Sequence, residues 1–266
     1  MISYLTVGVA AFLVSGLTMY SGFGLGTLLL PVFALFFPVE TAVAATAVVH
    51  GANNLFKVSL LGKHADRTIV LKFGLPAILA AVAGAAALGF VSHFGEITSY
   101  RVLGKTATIT PLKLLIGTLM LVFALFELLP RLKQLKFSKK YLFAGGILSG
   151  FFGGLSGHQG ALRSAFLAKV GISPQAFVGS NAVIGFMVDA ARIAVYGYIF
   201  LIAGKAGAEA LDITGEAPLV ATGILFAFAG VLTGKRFLHK ITMSAVQTIT
   251  GILLAGIAIA LSAGWI

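Results

Sequence analysis

Few polar side chains interrupt the apolar stretches of this chain, and their spacing groups them on helix faces. His50, Asn53 and Asn54 are spaced i, i+3 and i+4, so they share one face of a helix. They either line a pore or hydrogen-bond a neighbouring helix. Asp189 and Arg192, three residues apart, are either a structural ion pair or a gating or coupling pair. Ionisable groups are costly to bury in lipid, so each needs a partner or a function.

Two glycine-rich segments interrupt longer apolar stretches, SGFGLG at residues 21–26 and GGLSGHQG at residues 153–160. Each is typical of a helix that breaks and restarts. A restarting helix presents unpaired backbone N–H groups and the positive end of its dipole, and both favour a negatively charged ligand. The alternative is that the glycines only allow close helix packing. The glycines predicted to bind such a negatively charged ligand are Gly22, Gly24, Gly26, Gly157 and Gly160.

The second break also carries polar side chains. Arg163 lies three residues after Gly160, so its guanidinium can reach over the break or extend toward the cytoplasm. Guanidinium groups bind sulfonate, phosphate or carboxylate oxygens through paired hydrogen bonds. His158 and Gln159 are predicted to belong to the same site. His158 is either a proton-sensitive ligand or a structural cap.

Catalytic and metal chemistry have little support in the sequence. The chain has no cysteine, which excludes thiolate metal sites and thiol catalysis. It also lacks the HExxH motif of zinc proteases, and nothing marks a serine nucleophile system. We therefore predict a protein that is not an enzyme and that uses neither a cofactor nor a metal ion.

The composition is that of a polytopic integral membrane protein. Of the 266 residues, 59% are hydrophobic and only 10% are charged, and the mean hydropathy is +1.03. The chain has room for roughly seven or eight spans of about 20 residues each. In lipid the backbone must satisfy its own hydrogen bonds, so we predict an all-α fold. The net charge of +11 lies in short basic runs between apolar segments, which indicates the lipid bilayer rather than nucleic acid as the partner.

The two halves of the chain resemble each other. FLVSGLTMYSGFGLG aligns with GILSGFFGGLSGHQG, and ATAVVHGANNLFK aligns with SNAVIGFMVDAAR after a one-residue shift. The alignment places Asn54 opposite Asp189 and Lys57 opposite Arg192. Internal repeats are common in transporters, whose site lies between the repeats; the alternative is chance similarity between helices rich in glycine and alanine. The predicted transmembrane repeats are residues 1–137 and 138–266.

The basic residues predict the orientation of these repeats. Twelve of the 19 Lys and Arg residues lie in three runs, at residues 57–72, 131–140 and 235–240. All three runs face the cytoplasm only if each broken segment is a hairpin that returns to its starting side. The repeats are then inverted, and each is a broken-helix hairpin plus three transmembrane helices. Lys57 and Glu127, near the ends of their spans, are expected to extend toward the membrane surface.

The repeated segments SGFGLGTLLLPVFALFFPVETAVAATAVV and LSGFFGGLSGHQGALRSAFLAKVGISPQAFVGSNAV carry a family resemblance. The chain resembles the sulfite exporter TauE/SafE family over nearly its whole length. The resemblance implies a bacterial or archaeal inner-membrane transporter of sulfite, organosulfonates or related small anions, working outward. The chain departs from the family's usual run of glycines at Phe23, Leu25, His158 and Gln159. These departures concern the identity of the substrate more than the fold.

Together these features predict a secondary transporter that moves a small anion by alternating access. Proton coupling and sodium coupling both stay open, since the inside-negative potential alone favours export of an anion. The alternative is an anion channel that uses the same two breaks as a filter. The sequence predicts neither the particular anion nor the oligomeric state.

Overall fold

The computed structural model describes residues 1–19, 25–102, 104–133, 135, 137–168, 170–199, 213–237 and 243–266. Helices dominate, as expected for apolar stretches that must satisfy their own backbone groups. The α-helices are α1 (Ile2–Leu17), α2 (Leu25–Ala34), α3 (Val39–Leu61), α4 (Arg67–Ile69), α5 (Leu75–Ser92), α6 (Pro111–Leu128), α7 (Pro130–Lys133), α8 (Leu142–Ser156), α9 (Gly160–Leu167), α10 (Pro174–Gly197), α11 (Ile213–Phe237) and α12 (Met243–Ser262). A π-helical segment, Val70–Gly74, joins α4 to α5, and short 3-10 helices occupy Gly62–His64 and Lys139–Tyr141.

One element departs from the all-α prediction. Strands β1 (Thr98–Val102) and β2 (Lys105–Ile109) form an antiparallel hairpin between α5 and α6. This segment lies outside the apolar stretches, and its alternating β-branched and polar residues suit a solvated strand pair. The hairpin is fixed to the end of α12, because the Tyr100 hydroxyl donates to the carbonyl oxygen of Ala263 at 2.7 Å.

Four helical segments are long and apolar enough to cross a membrane: Arg67–Ser92, Pro111–Leu128, Pro174–Gly197 and Glu216–Gly234. Helix α3 has 23 residues but is more polar, because it carries the polar face predicted above. The apolar helices α1 and α2 are shorter, with 16 and 10 residues. The described long spans are therefore fewer than the seven or eight predicted, since broken segments divide their length between two helices.

Helices α5 and α8 pack closely through glycine. A Cβ added at Gly150 would overlap the carbonyl oxygen of Ala77, and one at Gly154 would overlap that of Ala81. Only residues without a side chain allow two helix backbones to approach this far. The close-packing interpretation therefore holds for these glycines before the second break.

The second glycine-rich segment is a helix break. Helix α8 ends at Ser156, and Gly157 adopts the left-handed conformation with φ 81°, which favours glycine. Helix α9 begins at Gly160 and runs back along α8, so that the Phe166 ring lies against Gly145. Residues 142–167 thus form the broken-helix hairpin that the sequence predicts. In the first segment, residues 20–24 lie outside the described residues, between the end of α1 and the start of α2.

The first two basic runs lie at the same end of the helix bundle. Ile69, Phe73, Leu142 and Phe166 belong to one buried cluster. This cluster joins the start of the Arg67–Ser92 span to the start of α8 and the end of α9. A hairpin in the second segment requires the start of α8 and the end of α9 to lie at the same end of the bundle, as they do. A segment that crossed the membrane once would place them at opposite ends.

Candidate functional site

Asp189 on α10 is the centre of a buried hydrogen-bond cluster. Its Oδ2 accepts from His50 Nδ1 at 2.7 Å and from Asn54 Nδ2 at 2.8 Å. Its Oδ1 accepts from Gln159 Nε2 and Arg192 Nε, each at 3.0 Å. All five side chains are buried. The cluster, called here the Asp189 cluster, ties α3 and α10 to the second break.

Arg163 extends this cluster on the side of α9. Its Nη1 donates to Gln159 Oε1 and its Nε donates to Asn181 Oδ1, both at 2.7 Å. Arg163 is 1% exposed, which excludes the extended arrangement directed to the cytoplasm. Both acceptors, the side-chain oxygens of Gln159 and Asn181, are neutral amide oxygens. The negative charge of Asp189 also attracts the Arg163 guanidinium, with Gln159 hydrogen-bonded to both.

The start of α2 meets the second break beside the Asp189 cluster. A Cβ added at Gly26, directly after the first break, would lie 3.2 Å from the carbonyl oxygen of Gly157 and 3.5 Å from the His50 ring. A Cβ added at Gly157 would lie 2.8 Å from Arg192 Nη1. Neither glycine could carry a side chain without moving these neighbours. Two predicted site residues of the first break, Gly22 and Gly24, lie outside the described residues.

A cavity of about 10 Å³ lies beside the cluster, enough for roughly one water molecule. It is bounded by the two ends of the first break, by the polar face of α3 and by α10. Its lining includes Met19, Leu25, His50, Asn54, Lys57 and Asn181.

Lys57 is a cavity residue that the sequence interpretation missed. It is 6% exposed, so the prediction that it extends to the membrane surface is wrong. The same prediction is wrong for Glu127, which is 2% exposed. Two signals pointed to Lys57: it is spaced i, i+4 and i+7 with His50 and Asn54 on one helix face, and it aligns opposite Arg192 in the repeat.

His158 and Asn53 point away from the Asp189 cluster. The His158 ring stacks on Phe123 with 5.0 Å between ring centroids, and its Nδ1 lies 3.0 Å from the Ser156 hydroxyl. Asn53 Oδ1 accepts from the Ser15 hydroxyl at 2.8 Å, so Asn53 faces α1. Within the described part of the chain, His158 Nε2 and Asn53 Nδ2 have no hydrogen-bond partner.

Arg192 also presents donors that the described residues do not fully use. Its Nη2 lies 2.9 Å from Asp189 Oδ1 in an ion pair. The Tyr196 hydroxyl approaches the same guanidinium and donates to the carbonyl oxygen of Gly154. Its Nη1 has no acceptor in hydrogen-bond geometry among the described residues. A buried donor without an acceptor is costly. The described residues contain no group of three or more His, Asp or Glu suited to a metal ion.

The sequence profile of the sulfite exporter TauE/SafE family matches residues 4–261, nearly the whole chain. The chain belongs to this family. TauE/SafE proteins are transporters, so this chain is a multi-pass membrane protein of the transport class, and membership supports the prediction that it is not an enzyme. A search of curated proteins found no match.

Proposed function

We propose that this TauE/SafE protein is a secondary transporter that exports sulfite, an organosulfonate or a related small anion by alternating access. The observation that carries the proposal is the contact of Gly26 with Gly157 beside buried cations and a cavity. Helix breaks supply backbone donors, and Arg163 and Arg192 supply positive charge away from water. Such a site favours a small ion with several negatively charged oxygens.

Arg163 is the main cationic ligand in this proposal. Its guanidinium is held by the amide oxygens of Gln159 and Asn181, which a negatively charged oxygen can replace at lower electrostatic energy. Backbone donors at the breaks and the polar face of α3 complete the site. The proposed binding residues are Gly22, Gly24, Gly26, His50, Asn54, Gly157, Gln159, Gly160 and Arg163. Asn53 and His158 face α1 and Phe123 instead and are left out of the proposed site.

The helix packing supports two inverted repeats, residues 1–137 and 138–266. In chain order, α1, α3, α5 and α6 correspond to α8, α10, α11 and α12. Helix α1 packs against α11, the counterpart of α5, and α5 packs against α8, the counterpart of α1. Helix α3 packs against its own counterpart α10, and α6 against α12. A two-fold relation between the halves produces this exchanged pairing.

The Asp189–Arg192 pair is the proposed gating or coupling element. An anion that approaches Arg192 competes with Asp189 for the guanidinium, and the carboxylate also holds His50 and Asn54 of the first half. Loosening this pair weakens the bonds between α3 and α10. The halves are then free to rock and to expose the cavity to the opposite side.

The membrane potential supports an outward direction. An inside-negative potential favours the exit of an anion by about 2.3 kcal/mol per charge per 100 mV. Export from the inner membrane of a bacterium or archaeon therefore proceeds without an obligatory coupling ion. Proton or sodium coupling adds driving force and is required for uphill uptake.

Flux measurements in proteoliposomes test the proposal. Labelled sulfite, thiosulfate, taurine-like sulfonates and carboxylates are compared for the wild type, Arg163→Ala and the control Arg67→Ala, whose arginine is exposed. Hydrogen bonds to a charged group contribute about 1.5–3 kcal/mol, so Arg163→Ala should lower transport of the substrate by roughly tenfold to a hundredfold. Unchanged flux in this variant removes Arg163 from the site. Electrical conductance without saturation would favour a channel, and a wild type that moves no anion would refute transport.

A further inference from the structure

His158 is a buried imidazole whose hydrogen-bond network defines its tautomer. The Ser156 hydroxyl donates its single hydrogen to the carbonyl oxygen of Phe152 at 3.1 Å. The hydroxyl oxygen therefore accepts from His158 Nδ1, which lies 3.0 Å away, and the ring hydrogen is on Nδ1. This leaves Nε2 as the basic nitrogen of the ring. Nε2 is buried and has no hydrogen-bond partner among the described residues.

The surroundings of the ring also suit its positively charged form. The ring stacks on Phe123 with 5.0 Å between centroids and 10° between planes, and an aromatic face attracts a cation within about 6 Å. The hydrogen bond from Nδ1 to Ser156 persists when a second proton binds at Nε2, because both nitrogens of an imidazolium are donors. His158 therefore has one contact common to both protonation states and one that favours the charged state.

His158 connects the second break to the first half of the chain. It follows Gly157, which lies against the start of α2, and it precedes Gln159 of the Asp189 cluster. Its stacking partner Phe123 belongs to α6, in the first of the two proposed repeats, whereas the break belongs to the second. Rocking of one repeat against the other changes this stack, and such a movement opens the buried Nε2 to water.

Arg192 connects the charge of the ring to that of the substrate. Helices α2, α5 and α8 carry no titratable side chain. The titratable and charged side chains of α3, α6, α9 and α10 are Glu40, His50, Lys57, Lys113, Glu127, Arg163, Asp189, Arg192 and Tyr196. Among these, Arg192 has the charge that acts on the His158 ring, and it repels a proton at Nε2. An anion bound beside Arg192 offsets this repulsion, so the anion and the proton each strengthen the binding of the other.

We propose that His158 is a proton-binding site of this transporter and that its Nε2 takes up a proton from water as the substrate anion binds. This inference rests on the proposed anion transport. Without the anion the ring stays neutral, because a hydrogen on Nε2 would have no acceptor among the described residues and would face Arg192. The neutral form still binds the anion through the Asp189 cluster and the breaks, so the proton strengthens binding without being obligatory for export.

Binding measured against pH in the full-length protein tests this proposal. The protein in lipid nanodiscs is titrated with thiosulfate, methanesulfonate and sulfite between about pH 5.5 and 8.5, the range in which histidine changes its charge. The first two probes keep a constant charge over this range. The dissociation constant of the transported anion should fall by roughly fivefold to a hundredfold from the upper to the lower pH. Calorimetry in two buffers of different ionisation enthalpy should show that a proton is taken up on binding.

Three variants assign this response to its residue. His158→Gln keeps a polar side chain but cannot titrate, so it should bind the anion as the wild type does at the upper pH and lose the gain at the lower pH. Phe123→Leu removes the aromatic face and should need a solution more acidic by about half a pH unit or more for the same gain. His64→Gln is the control, because His64 is exposed just after α3, and it should match the wild type.

The wild type decides the matter even if His158→Gln does not fold. Affinity for thiosulfate or methanesulfonate that is constant with pH, without proton uptake, would overturn the proton site and leave anion transport standing. An equal pH response in His158→Gln and the wild type would assign the proton to another group, such as His50, and would also overturn the proposal. If sulfite is the anion that binds, the difference in proton uptake between the wild type and His158→Gln decides, because the proton of the anion itself cancels. A wild type that transports none of the three probes would refute the proposed function itself.

Discussion

Replacement of Asp189 by asparagine removes the carboxylate of the Asp189 cluster while keeping its shape. Four donors face the carboxylate, from His50, Asn54, Gln159 and Arg192. Asparagine keeps one oxygen acceptor but turns an amide NH₂ toward the donors on the other side, and Arg192 loses its ion pair. Breaking a buried ion pair from one side costs about 3–5 kcal/mol. Since 1 kcal/mol lowers Tm by about 2–4 °C in a chain of similar size, Asp189→Asn should lower Tm by roughly 6–20 °C.

Thermal unfolding of the purified protein in detergent measures this change. Asp66→Asn is the matched control, because Asp66 caps α4 through Ile69 N–H and asparagine is an equally good N-cap. The double variant Asp189→Asn/Arg192→Gln removes both charges and should recover part of the lost stability, as coupled neighbours do. The reasoning is refuted if Asp189→Asn unfolds at the same temperature as Asp66→Asn, or if the two substitutions at the pair are simply additive.

Two further predictions concern glycines. Gly157→Ala should lower the free energy of unfolding by about 1–2 kcal/mol, because alanine is strained at φ 81°. It should also reduce anion flux, because the added Cβ crowds Arg192. A variant with the Tm and flux of the wild type would contradict the close approach at the break. Gly84→Ala should lower stability by about 1–3 kcal/mol, since its Cβ overlaps the carbonyl oxygen of Phe151 and forces α5 from α8. Gly95→Ala, which meets open space, should unfold like the wild type, and a Gly84→Ala Tm equal to it would show that the two helices are not in close contact.

The class of fold followed directly from the residues. High hydropathy requires helices in lipid, and the mostly helical architecture with long apolar spans agrees with that prediction. The second break was also predictable, because a dense glycine segment inside an apolar stretch favours a change of backbone direction. The β1–β2 hairpin was missed because residues 98–109 form a short, polar segment outside the apolar stretches on which the helix prediction rested.

The partners of individual side chains were less predictable. The spacing of His50 and Asn54 indicated a shared polar face, but not that this face would meet Asp189, 139 and 135 residues away. Asn53 belonged to the same sequence group yet faces Ser15 instead. A helical spacing gives the direction of a side chain relative to its own helix, whereas the neighbouring helix decides what that side chain contacts.

The sequence by itself determined the membrane setting, the second helix break and the family resemblance, because these depend on apolar content and on backbone freedom along a local segment. Only the tertiary structure decided that Lys57 is buried at the cavity, that Arg163 is turned inward, and that His158 stacks on Phe123. The physical reason is that burial and charge compensation depend on groups brought together from distant parts of the chain. A lysine near the end of a helix extends to the surface or lines a cavity according to which helices cover it.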